Sequence, residues 1–173
     1  MQATTNRMEF VQAKETQIDE LIQIYKQNVR LMNERGIYQW NEDYPDREEL
    51  MQDIKCGEMF LLTIDGDIAG AVALNELYDL EYNEIEWKDE SGKFLVVHRF
   101  CVNTKFQGQG ISKTLLKHID RYAKQTGYAS IRLDTMMANE IAMNLYQKDG
   151  YEARGQFFFP GLENPFMAFE KHL

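Results

Sequence analysis

Between Phe100 and Leu116 the sequence runs FCVNTKFQGQGISKTLL, a glycine-rich turn between an apolar run and an amphipathic one. Glycines let a backbone approach an anion, and the first amides of a helix have no intrahelical acceptor, so Gln107, Gly108, Gln109, Gly110, Ile111 and Ser112 have the make-up of a phosphate cradle. Two nucleotide-binding templates fail on spacing. A Walker loop needs its second glycine directly before Lys and Ser/Thr, but Ile111 and Ser112 separate Gly110 from Lys113. A dinucleotide fingerprint starting at Gly108 would need glycine where Lys113 stands. A turn from strand to helix that holds no ligand is the plain alternative, and the rest of the chain has to decide between them.

The elements around the turn follow from periodicity. FLVVHRFCV (94–102) reads as the strand before it, and Leu115, Leu116, Ile119, Tyr122 and Ala123 form one apolar helical face after it, from Ser112 to Gly127. Upstream, MEFVQA suggests a first strand. A long helix opens near Thr16 and runs to Gly36, and a second is started by the Asp46/Glu49 capping pair. EMFLLTI and IAGAVALNE form a hairpin about Asp65-Gly66-Asp67. Downstream come ASIRLDT as a strand, a short helix from about Asn139 to Lys148, and two strands around the turn from Pro160 to Pro165. The order β-α-α-β-β-β-α-β-α-β-β predicts a mixed α/β fold, one mixed sheet with helices on both faces, in a single domain over residues 1–173.

Composition narrows the function. A formal charge of −9 argues against a nucleic-acid surface and suits a cationic substrate. No apolar run reaches the roughly 18 residues of a membrane span, and MQATTNRMEF lacks the apolar centre of a signal peptide, so a cytoplasmic location without membrane association is expected. Cys56, Cys101 and the three histidines show no ligand spacing, so no metal is expected.

VNTKFQGQGISKTLL resembles the acyl-CoA binding motif of the GNAT superfamily of N-acetyltransferases, whose Q/R-x-x-G-x-G/A signature matches Gln107, Gly110 and Ser112, with serine in place of the usual small apolar residue. NEIAMNLYQKDGY (139–151) is similar to the second half of the same core, and the two segments stand in the family's order. The resemblance implies that the loop holds the pyrophosphate of coenzyme A, aided by Lys105 or Lys113, and that acetyl-CoA is the co-substrate. Ser112 would keep its amide for the phosphate and could also cap the following helix. The pantetheine arm would pair with the backbone of Phe100, Cys101 and Val102, with a backbone N–H near Cys101 or Val102 as oxyanion donor.

By the same resemblance Tyr146 is the acid beside the coenzyme sulfur, Asp134 the base that frees the amine, and Asn139 a partner for pantetheine. His98 and Glu76 are rival bases. Their plainer readings are a core aromatic for Tyr146, a strand-end carboxylate for Asp134 and a helix cap for Asn139. Cys101 reads as a small buried residue, since direct amine attack needs no acyl-enzyme. Tyr38, Trp40, Tyr44 and Phe159 would wall the acceptor groove, or else form a satellite core or a homodimer contact. The expected activity is acetyl transfer to a small-molecule or peptide amine; the alternative is a non-catalytic acyl-CoA-binding module.

Overall fold

The computed structural model describes residues 6–173 and follows the predicted order of elements. The strands are β1 (Met8–Gln12), β2 (Met59–Ile64), β3 (Asp67–Asn75), β4 (Phe94–Val102), β5 (Ser130–Met136), β6 (Glu152–Phe157) and β7 (Phe166–His172). The helices are α1 (Ile18–Glu34), α2 (Arg47–Lys55), α3 (Ile111–Gln125) and α4 (Glu140–Lys148). Asp46 caps α2 as its spacing predicts, accepting from the Glu49 amide at 2.8 Å. Among the described residues no helix is long and apolar enough to cross a membrane.

The seven strands form one sheet in the order β1-β2-β3-β4-β5-β7-β6, antiparallel except for β4 beside β5. Alternation along β2 and β3 gives each face its own core. Leu21 and Tyr25 of α1 and Leu50 and Ile54 of α2 pack with Met59, Leu61, Ala71 and Ala73 on one face. Leu115, Leu116 and Ile119 of α3 pack with Phe60, Leu62, Val72 and Leu95 on the other, joined by Tyr146 of α4. At Gly70 the helix comes so close that a Cβ would lie 3.2 Å from Leu115 and 3.3 Å from the Cys101 carbonyl.

Two irregularities shape the middle of the sheet. β4 and β5 pair only between Phe94–Val96 and Ser130–Arg132, so beyond Val96 the two parallel neighbours part and leave a gap open toward the glycine turn. Within the parted section β4 carries a bulge. Its register against β3 shifts between Ala71 and Ala73, and Arg99 sits at φ 51°, a left-handed conformation rare for a side-chain-bearing residue. The parity of β4 changes there, turning Cys101 into the α1/α2 core and Phe100 and Val102 toward the α3 side.

The sequence reading of Ser112 as a helix cap is corrected. The N-cap of α3 is Gly110, at φ 72°, and the helix begins at Ile111, which leaves Ser112 inside the first turn. A left-handed N-cap favours a glycine, so the cap moves two residues upstream of the hydroxyl.

Candidate active site

The parted strands β4 and β5 divide two cavities that meet. The larger, about 460 Å³, runs along α1, β4, the glycine turn and the start of α4. Phe100, Cys101, Val102, Gln107, Gly108, Gly110, Ile111, Ser112 and Asn139, nine of the ten residues predicted to hold the coenzyme, line it together with Lys113. Gln109 is exposed and lines neither cavity. At Gly108 and Gly110 an added Cβ would meet no atom within 4 Å, and both have positive φ, so the turn presents bare backbone to the groove. The first turn of α3 ends on the same wall with its unpaired amides and positive dipole end. An open strand edge leading to a glycine cradle at a helix N-terminus fits an extended chain with a pyrophosphate, the shape of coenzyme A.

α1 and the loop after it hold both lips of the gap. On the β4 side the Asn28 amide donates to the Val102 carbonyl at 2.9 Å, and the Tyr25 hydroxyl donates to the Arg99 carbonyl at 2.6 Å. On the β5 side Gln39 Oε1 accepts from the Met136 amide at 3.3 Å and the Thr135 hydroxyl at 3.1 Å. Asn139 accepts from the Ala142 amide at 3.2 Å, so it caps α4 while lining the groove. Cys101 is buried, and burial pushes its thiol up to about 12, an inert group at neutral pH.

The second cavity, about 310 Å³, opens on the other side of the junction. Trp40, Tyr44 and Phe159 line it, but Tyr38 stands 60% exposed and lines neither cavity. Asp134 lies in its wall. Burial raises that carboxyl to about 6, the Tyr82 hydroxyl donating to Oδ2 at 2.6 Å opposes the rise, and nearby Asp79 and Glu81 add to it. Exposed Asp79 lines the same cavity. Arg99 is also in the wall, but its charge is engaged. Its guanidinium donates to both oxygens of buried Asp53 at 2.7 and 2.8 Å and to the Tyr44 hydroxyl at 2.9 Å, with Glu49 3.4 Å away. Arg99 is thus a paired cation, and the carboxyl groups of Asp79 and Asp134 remain in the cavity wall.

The rival bases separate on geometry. His98 lines the cavity, but its Nε2 lies 2.9 Å from the Leu77 carbonyl, which can only accept, so Nε2 carries the hydrogen. Burial, helped by Arg99, lowers its pKa to about 4, which makes it a weak base. Glu76 is exposed, accepts from the Tyr128 hydroxyl at 2.9 Å and lines neither cavity. Tyr146 is one of four residues common to both cavities, with Gln39, Trp40 and Phe100. It is 6% exposed and packed edge-on against Phe100 and Tyr151, and its hydroxyl makes no hydrogen bond among the described residues. Burial, then the charge of Asp134, raises its pKa well above 10. Asn28, Gln39, Asp53 and Tyr82 escape the sequence reading. The one signal for Tyr82 is an aromatic residue inside an acidic stretch.

The model of the acetyltransferase (GNAT) family matches residues 18–151, which include β4, β5, the glycine turn and Tyr146. The chain belongs to the GNAT acetyltransferase family. Human N-acetyltransferase 8B is 37% identical over 67 residues, 39% of this GNAT chain and 30% of that relative; the chain spans about a third of the length of the curated relatives it first matches. Among solved structures, a GNAT-family acetyltransferase from Streptococcus agalactiae superposes with a TM-score of 0.84 at 24% identity, over 96% of this chain and 95% of that one. YncA of Salmonella typhimurium, a putative acetyltransferase solved with its cofactor acetyl-CoA, superposes at 0.69 and 15% identity, over 96% and 94%. These likenesses show the fold.

Proposed function

We propose that the protein is an acetyl-CoA-dependent N-acetyltransferase that acts on a primary amine by direct attack in a ternary complex. The observation that supports this reading is the meeting of two differently built cavities at Tyr146. One is a backbone-lined groove with a glycine cradle, the other an acidic, aromatic pocket. Acetyl-CoA, as co-substrate, supplies an acyl carbon activated by its thioester.

The residues divide the remaining work. An alkylammonium with pKa near 10.4 is only about one part in a thousand neutral at physiological pH. Asp134, ionised above about 6, takes its proton. Asp79 and the charge of Asp134 draw the cation in, and Trp40, Tyr44 and Phe159 surround its carbon body. The amine nitrogen forms the new C–N bond, the C–S bond breaks, and the sulfur leaves with the bonding pair. Tyr146 faces that sulfur as a hydrogen donor. A buried tyrosine is a much weaker acid than a thiol near 8.5, so full transfer of its proton requires that it regain one from the reacting nitrogen in the same event.

Free-thiol release from acetyl-CoA with a panel of primary amines tests the proposal. Amine-dependent release together with acetylated amine is the expected result. Coenzyme A binding with no release for any amine would turn the reading to a binding module.

A further inference from the structure

We infer that Gln39 is a binding residue for the acyl group: its side-chain NH2 donates a hydrogen bond to the carbonyl oxygen of the thioester. The inference rests on the acetyl-CoA reading of the site. Gln39 is one of the four residues shared by the two cavities, so it stands where the groove for the thioester meets the pocket for the amine. Its orientation is fixed. The Met136 backbone amide can only donate, and it lies 3.3 Å from Oε1, so this end of the carboxamide is the oxygen. Thr135, only 2% exposed, gives the same oxygen a second bond at 3.1 Å. The nitrogen is thereby turned away from β5, and among the described residues it has no partner.

A planar amide locked at its oxygen is a pre-organised donor that needs no reorientation when an acceptor arrives. The other side chains at the junction do not offer the same thing. Phe100 has no polar atom, Trp40 offers an indole N–H on a ring held by packing on Tyr25 at 5.7 Å and not by a hydrogen bond among the described residues, and Tyr146 is the group assigned to the sulfur. A thioester brings one oxygen acceptor to the junction, its acyl carbonyl. The bond to Met136 holds the carboxamide at the β5 lip of the gap between β4 and β5.

The test compares acetyl-CoA with S-ethyl-coenzyme A, which has the same charge and bulk but no carbonyl, by titration calorimetry. Native protein is expected to bind the thioester more tightly than the thioether. Gln39→Glu keeps an oxygen for Met136 and Thr135 but removes the donor, and it should reduce that preference by about three- to tenfold. The repulsion between its added charge and the phosphates is the same for both ligands and cancels in the ratio, leaving the loss of the donor and the repulsion of the carbonyl oxygen, which act in the same direction. Thr135→Val, which frees one of the two bonds on Oε1, should move the ratio in the same direction by less, and gives a second reading if the first variant folds poorly. An unchanged ratio in both variants would overturn the inference, as would a rise only in the KM of the amine, while turnover by the native protein would leave the N-acetyltransferase reading standing. Failure of the native protein to bind either ligand would sink both.

Discussion

At Asp134 two effects of opposite sign meet. Burial, with Asp79 and Glu81 near, lifts the carboxyl to about 6, and the Tyr82 hydroxyl holds it down by bonding the charged form. If Asp134 is the base, as proposed, it acts when deprotonated, so acetyl transfer should rise with pH through about 6 and level off above it. Tyr82→Phe removes the bond that favours the carboxylate. The acid limb of the rate profile should then move to higher pH, and Asp134→Asn should abolish that limb; a profile that keeps its limb in the asparagine variant would assign the base elsewhere. Tyr146→Phe keeps the ring against Phe100 and Tyr151 and removes only the hydroxyl. It should lower kcat by about 10²-fold or less with coenzyme A affinity retained, as measured on one preparation by steady-state rates and calorimetry. An unchanged kcat would make Tyr146 a core aromatic.

For the elements, the glycine turn matters most. Gly110→Ala places a methyl on a residue at φ 72° that opens to the groove. The strain is about 1–2 kcal/mol, and the methyl enters the space the phosphates would occupy. Coenzyme A affinity should fall by more than thermal stability suggests, which paired melting and binding curves would read; a loss of stability with unchanged affinity would move the phosphates elsewhere. Legibility divides along the same line. The turn, the Asp46 cap and the succession of strands and helices along the chain are legible because each depends on neighbours within a few residues. Gln39 is not, since its partners Thr135 and Met136 lie 96 and 97 residues away, nor is Tyr82, which meets Asp134 over 52 residues. The hydroxyl of Ser112 looks like a cap in sequence, but the backbone at Gly110 decides where the helix starts.

Across the whole molecule, the acidic stretch after β3 is tied down from far away. Glu170 in β7, 1% exposed, accepts from the Lys88 amide at 2.9 Å and the Asp89 amide at 3.1 Å, and the Arg132 guanidinium lies between the rings of Trp87 and Phe94. This clasp fixes the loop that carries Asp79 and Tyr82 to the second cavity. Glu170→Ala leaves two amides without their acceptor. It should raise the KM for amines and shift the acid limb while coenzyme A affinity holds, and equal losses in both substrates would mean that the whole sheet had been disturbed. The short pairing of β4 with β5 has its own bearing on turnover. Only three residues on each strand join the β1–β4 half of the sheet to the β5–β7–β6 half. An extended ligand lying in the gap would act as the mortar between two leaves of masonry, so each departure of product would reopen a joint in the framework itself, and the pace of the cycle would be tied to how readily the protein tolerates being briefly unmended.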